Sequence, residues 1–238
     1  MQSSWPADAE VSVIIPARNE EHYVAAALAS VAAQTWPLER LDVVVVDNGS
    51  MDATSAVVQR AMAATPGLSI RLLHEPVIGV SRAKNRGARA AKGHWLIFMD
   101  ADSLMAPDLV ERVVGRGRTG CLAGSIRIVA ASRDVLDRAF FGLVEFGKGL
   151  FNLPAQMFYC QREPFIRLGG FDESLRLAED REFLLRLAGS GVPLCRLAES
   201  WIATSPRRLH RLPWRLGMLT MLLRWALANW GIGREWRY

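Results

Sequence analysis

The chain has 238 residues, half of them hydrophobic and 22% charged, which excludes a disordered chain and provides for a large buried core. Its formal charge of +5 is unevenly placed: residues 201–238 carry seven arginines against one acid, Glu235, while residues 1–200 carry 22 basic and 23 acidic side chains. A nearly neutral body followed by a basic segment holding five of the eight tryptophans argues against nucleic-acid binding over the whole surface.

In chain order, residues 11–15 are a β-branched run stopped by Pro16, which predicts a buried strand ending in a loop. Ala-rich residues 20–33 predict a helix. Residues 41–46 (LDVVVV) predict a second strand ending at Asp47. Asp52 can then cap a helix over 53–64. A weaker strand is expected over 69–73, a helix over 81–91 despite Gly87, and a fourth strand over 95–99 ending at Asp100-Ala101-Asp102. Strands alternating with helices every 25–30 residues predict an α/β fold, with a mainly parallel sheet covered by helices on both faces. Beyond residue 105 a helix is expected over 107–114 and a strand over 121–129. A looser Phe- and Gly-containing stretch runs to about 153, and a strong amphipathic helix covers 177–188.

Cys121, Cys160 and Cys195 lie at least 35 residues apart with no metal spacing, which predicts a reduced set in a cytoplasmic setting and no disulfide framework. The first ten residues have neither a basic nor an apolar signal region, so no signal peptide is expected, and no run of 18 apolar residues predicts a conventional membrane span. His22, His74, His94 and His210 share no ligand spacing. Residues 115–120 (GRGRTG) match the dinucleotide-binding pattern, but they follow a helix and precede a strand, the reverse of what that turn requires.

Polar residues gather where strands end: Arg18, Asn19 and Glu20, then Asp47, then Asp100 and Asp102. Ligands of open α/β sheets bind outside the carboxyl ends of strands. On an extended backbone Asp100 and Asp102 face the same side, and paired carboxylates suit a hard divalent ion such as Mg²⁺ together with phosphate oxygens. Asp47 can accept from base or ribose, or build an Asx-turn. Glu179 and Asp180 open the 177–188 helix, either complementing its dipole or supplying a general base.

Five motifs then fall in one order: residues 11–21 (VSVIIPARNEE), 46–50 (VDNGS) with Asp52 and Thr54, 79–88 (GVSRAKNRGA), 98–102 (FMDAD), and 169–173 (GGFDE) with Glu179 and Asp180. Together they resemble family 2 glycosyltransferases of the GT-A fold, over about residues 11–190. The resemblance implies that Pro16, Ala17, Arg18, Asn19, Glu20 and Asp47 hold the nucleotide. Lys84, where the family usually has Arg, would meet it too. Asp100 would touch ribose or the metal shell, Ala101 would lie at the donor, and Asp102 would bind Mg²⁺ or Mn²⁺ on the diphosphate. Asp180 matches the catalytic base. Asn48 stands where a second Asp is common, and the QxxRW pattern of processive synthases is missing, which implies single-sugar addition. The implied reaction is an inverting, metal-dependent transfer from a nucleotide-diphosphate sugar to an acceptor hydroxyl, on a lipid, a lipid-linked molecule or a glycan. A nucleotidyltransferase, or an inactive nucleotide-sugar binding protein, is the alternative; the former usually has a Gly-rich first loop, absent at 16–20.

The expected organisation is a GT-A domain over 1–200, with a nucleotide-sugar half at 11–104 and an acceptor half at 105–200, then a basic Trp-rich amphipathic tail at 201–238. As a helix, residues 216–230 would span about 22 Å. Gly217, Thr220, Arg224 and Ala228 form one narrow strip and most of the remainder is apolar. That pattern suits peripheral contact of 205–238 with the inner face of an anionic membrane, or docking on the body or a second subunit. Arg207 or Arg208 could instead close over the donor diphosphate.

Overall fold

The computed structural model describes residues 10–150, 157–175, 178–210, 217, 218 and 220. Eight strands form one sheet in the order β3-β2-β1-β4-β7-β6-β8-β5. Its first half is parallel. β1 (Val11–Ala17) lies between β2 (Leu41–Asp47) and β4 (Trp95–Phe98), and β3 (Ser69–His74) sits outside β2. Every residue of β2 is buried, as expected of a β-branched run covered on both faces. Pro16 does not stop β1. The strand continues to Ala17, whose carbonyl accepts from Asn48 N at 2.8 Å.

Helices α1 (Val24–Ala32), α2 (Thr54–Ala64) and α3 (Val80–Ala90) make the crossovers. The buried side of α3 holds small residues, Ser81, Ala83, Gly87 and Ala88, so the helix sits close on β1 and β2. A Cβ at Gly87 would come within 2.6 Å of Ile14. At the amino ends of the strands, buried Asp42 accepts from Ser12 Oγ (2.8 Å), Lys92 N (3.0 Å) and Arg71 Nη2 (2.6 Å). This network ties β1, β2, β3 and the start of β4 together far from the strand ends that carry the acids.

The second half is mixed. β7 (Phe158–Gln161) runs antiparallel to β4 and to β6 (Ala123–Ala130), and β8 (Leu194–Thr204) runs parallel to β6. β8 skips register between Leu197 and Trp201, looping out residues 198–200. A bulge bends a strand and re-aims the residues beyond it. Here it lets residues 202–204 pair antiparallel with β5 (Ser103–Met105), directly after Asp102. The composition break near 201 therefore lies inside a strand.

Helix α4 (Leu109–Arg118) extends through Gly115 and Gly117 of the dinucleotide-like pattern, so that pattern forms no phosphate-binding turn. The stretch expected to be loose contains α5 (Val135–Leu150), a 16-residue helix. It buries Asp137, Glu145 and Lys148 beside Phe140 and Phe141 and exposes Leu136, Leu143, Phe146 and Leu150, a departure from ordinary patterning. Short α6 (Arg162–Arg167) and then α7 (Glu179–Gly189) complete the fold. Phe98, Phe158, Phe165, Phe171 and Phe183 interlock where β4, β7, α6 and α7 meet, with ring centroids 4.8–5.8 Å apart.

The expectation for the cysteines is corrected. Cys121 and Cys195, 74 residues apart, form a disulfide that joins the start of β6 to β8. Sequence spacing does not show that the β6–β8 pairing brings them together. Cys160 is free and buried, and burial pushes its thiol pKa up. Most of the predicted tail helix lies outside the described residues. Of the three that are described, Met218 packs against the main core.

Candidate active site

The acids expected at strand ends do lie at the carboxyl ends of the neighbouring strands β2, β1 and β4. At the end of β2, Asp47 Oδ1 accepts from Ser50 N at 2.9 Å and Oδ2 accepts from Ser55 Oγ. Burial alone would raise this carboxyl. Hydrogen bonds from Ser50 and Ser55, with His74 beside it, outweigh burial and hold it below the usual range. Asp47 thus remains an ionised acceptor while shaping its own loop. Asn48 does not face that loop. Its amide donates to the carbonyls of Glu75 (3.0 Å) and Val77 (2.8 Å) and accepts from Gly79 N (2.8 Å), fixing the entry to α3. An Asp in its place could not donate those two bonds.

The 17–21 loop leans on the start of α2. Asn19 adopts φ 55°, its backbone N–H donates to Ser50 Oγ at 3.0 Å, and its Oδ1 accepts from Met51 N at 2.8 Å. Glu20 N donates to Thr54 Oγ1 at 2.8 Å. Pro16 is half-buried, Ala17 buried and Arg18 exposed. After β4, Ala101 is buried, Asp100 half-buried and Asp102 largely buried. The guanidinium of Arg207, from the 3₁₀ turn Pro206–Arg208 after β8, pairs with Asp102 Oδ2 at 3.0 Å and with Glu20 Oε1. It also lies 4.5 Å from the centroid of the Tyr23 ring.

The second part of the site is built by α3 and the 169–173 loop. Asn85 Oδ1 accepts from Phe171 N at 2.8 Å, and its Nδ2 donates to Phe171 O (2.9 Å) and Glu173 Oε1 (3.1 Å). Gly170 has φ +73°, and a Cβ there would come within 2.4 Å of Asn85 Oδ1. Only glycine fits both the backbone and the contact. This clamp brings the start of α7 over α3. Ala178, in the left-handed region at φ 61°, turns the chain so that Glu179 and Asp180 point at Lys84. Lys84 Nζ donates to Asp180 Oδ1 (2.6 Å) and Glu179 Oε1 (2.8 Å) and sits 5.2 Å from the centroid of the Phe171 ring.

Burial alone would lower the pKa of Lys84. The charges of Asp180, Glu179 and Asp100 outweigh it, so Lys84 stays a cation. Burial raises the Asp180 carboxyl, Lys84 pulls it back, and Glu179 and Asp100 push it up again, leaving it at about 7. A carboxylate poised there is suited to take a proton at neutral pH. The influence of Asp100 on both groups links the segment after β4 to the base candidate.

The model of the family described as "Glycosyl transferase family 2" matches residues 12–163, from β1 through β7 to the start of α6. The chain belongs to glycosyl transferase family 2. Within that family it is similar to a probable glycosyltransferase, YdaM, of Bacillus subtilis (27% identical over 199 residues, 76% of this chain and 47% of the relative). It is also similar to a validoxylamine A glucosyltransferase of Streptomyces hygroscopicus subsp. jinggangensis (29% identical over 241 residues, 84% and 56%). The chain thus spans about half the length of the curated relatives it matches. Two solved structures share its fold. One is S. aureus TarS residues 1–349 in complex with UDP, with TM-score 0.67 and 19% identity over 83% of this chain and 61% of that one. The other is the mannosyltransferase PcManGT from Pyrobaculum calidifontis in complex with GDP-Man and Mn²⁺, with TM-score 0.68 and 25% identity over 91% and 65%. The GT-A architecture expected from the motifs is the architecture found.

For a family 2 chain, the structure groups the sequence-predicted residues in two neighbouring sets. Asn19, Glu20, Asp47, Asp100 and Asp102 line the strand ends. Asp180 and Lys84 stand together across α3, so Lys84 is engaged by the base candidate and its neighbour Glu179. Sequence reasoning did not single out Asn85 or Tyr23. The hint for Asn85 was its place beside Lys84 on a helix face otherwise made of small residues.

Proposed function

We propose that this chain transfers a single sugar from a nucleotide-diphosphate sugar to an acceptor hydroxyl with inversion at the anomeric carbon, assisted by a divalent cation. The observation that carries the reading is Asp180, a largely buried carboxylate held near neutrality beside Lys84, next to the acid-lined ends of the parallel strands. The nucleotide would lie on the 16–20 loop and Asp47. Asp180 would accept the proton of the acceptor hydroxyl as its oxygen attacks C1, while the C1–O bond to the diphosphate breaks. Displacement from the opposite face in one step inverts the centre. Lys84 would hold Asp180 ionised and aimed.

Asp102 fits a cation. Its carboxylate is 4% exposed and already takes a positive partner, the Arg207 guanidinium. Among the described residues no group of three or more His, Cys, Asp or Glu side chains converges into a ready-made cage. Phosphate oxygens of the donor would therefore complete the shell, as suits Mg²⁺ or Mn²⁺. When bound, such an ion stabilises the charge of the leaving diphosphate. The relatives that bind UDP, UDP-GlcNAc, or GDP-Man with Mn²⁺ support this donor class.

The acceptor is proposed to be a lipid, lipid-linked or glycan hydroxyl, reached at a membrane surface. The exposed Leu136, Leu143, Phe146 and Leu150 on α5 and the basic Trp-rich sequence at 205–238 support peripheral contact. No helix among the described residues is long and apolar enough to cross a membrane. A transfer and hydrolysis assay over UDP-, GDP- and dTDP-sugars, with and without EDTA, tests the reading. One donor class should turn over and EDTA should abolish it. Turnover of no donor would refute the transferase reading, and full activity in EDTA would refute the metal.

A further inference from the structure

Arg207 spans 187 residues of sequence to reach Glu20, and with the same side chain it meets Asp102. The turn that carries it is firmly placed. Thr204 pairs with Ser103, Ser205 N donates to Asp102 O at 3.2 Å, and Leu209 is buried in the main core. The backbone beside Arg207 is thus fastened to the residue that Arg207 neutralises. The side chain itself is partly open to solvent, since 26% of it is exposed where it lies over the Tyr23 ring.

A divalent ion on Asp102 would stand within a few ångströms of this guanidinium. Like charges at that separation repel, so a divalent ion and the guanidinium compete for the Asp102 carboxylate. We propose that Arg207 is a built-in cation that occupies the Asp102 carboxylate until a divalent ion replaces it. Arg207 keeps Glu20 and Asp102 drawn together before the donor arrives. Ion entry weakens its hold on Asp102, and the guanidinium then stays beside the seat of the diphosphate as a second positive group. The inference rests on reading Asp102 as the cation ligand.

The test is direct Mn²⁺ binding to the full chain without donor, read from the loss of the free-ion electron paramagnetic resonance signal, with thermal unfolding run in parallel to establish folding. Arg207→Gln should bind Mn²⁺ about tenfold more tightly than the unaltered chain, within the range of ordinary coupling between sites. Arg207→Lys, which keeps the charge, should stay near the unaltered chain. Equal or weaker binding by folded Arg207→Gln would overturn the proposal. In the unaltered chain the Arg207 Nε–H resonance should shift as Mg²⁺ saturates the site, and a resonance that does not move would also overturn it. If neither protein binds Mn²⁺ even with UDP or GDP present, the metal reading fails first and the competition falls with it.

Discussion

Replacing Lys84 with Met should move the acid limb of the transfer reaction upward in pH. Lys84 Nζ lies 2.6 Å from Asp180 Oδ1 and is the main group that pulls that carboxyl downward. Two unit charges about 4 Å apart attract by about 4 kcal/mol at an effective dielectric of about 20. At about 1.4 kcal/mol per pH unit that is roughly three units. The Asp180 side chain is 16% exposed, and water and local relaxation recover part of the loss, which leaves a shift of about one to two units. The sign follows from the charges. With Lys84 present, Asp180 ionises at about 7, so kcat/KM should rise as pH passes that value. Without it, the upward pushes of burial, Glu179 and Asp100 prevail, and the rise should come at higher pH. The assay is kcat/KM from pH 5 to 10 on both proteins, with circular dichroism to establish folding. An acid limb that stays in place or moves down would refute the role given to Lys84 and the identity of the group that titrates.

The same contacts set three further outcomes. Asn85→Ala removes three hydrogen bonds to the 171–173 loop and should lower stability by about 1–3 kcal/mol. It should reduce kcat more than donor affinity, because the clamp positions Asp180 rather than the nucleotide loop; equal kcat would show that the loop needs no clamp. Asp42→Ala strips the partner from Arg71 and from Ser12 at the opposite end of the sheet. It should cost about 3 kcal/mol in urea unfolding, and an unchanged midpoint would contradict the network. Reduction of the Cys121–Cys195 bridge should lower the unfolding midpoint by an amount worth about 2–4 kcal/mol. An unmoved midpoint would mean that the bridge adds nothing.

The parallel half of the fold is legible in sequence because three of its four strands are apolar runs and helix-forming stretches lie between them. Its strand ends are legible for the same reason, since acids directly after LDVVVV and WLIFM interrupt an otherwise apolar run. The other half resists reading. α5 buries Asp137 against His210 and Glu145 against Lys148 and Arg196, while it exposes leucines, so its period points the wrong way. β8 is split by a three-residue bulge, and β7 is only four residues long. The disulfide and the Arg207 contacts join positions 74 and more than 100 residues apart, and such pairings exist only once the sheet is ordered. The basic excess of the last 38 residues is thus not wholly a surface property, because one of its arginines lies within the acid-lined site.

The central claim is that Asp180 removes the acceptor proton, and Asp180→Asn tests it most directly. The change is nearly isosteric and leaves the strand-end loop untouched. Donor affinity measured by calorimetry should stay within about threefold of the unaltered chain, while the transfer rate should fall by at least about 100-fold, the range of general-base contributions. A transfer rate close to that of the unaltered chain would contradict the account.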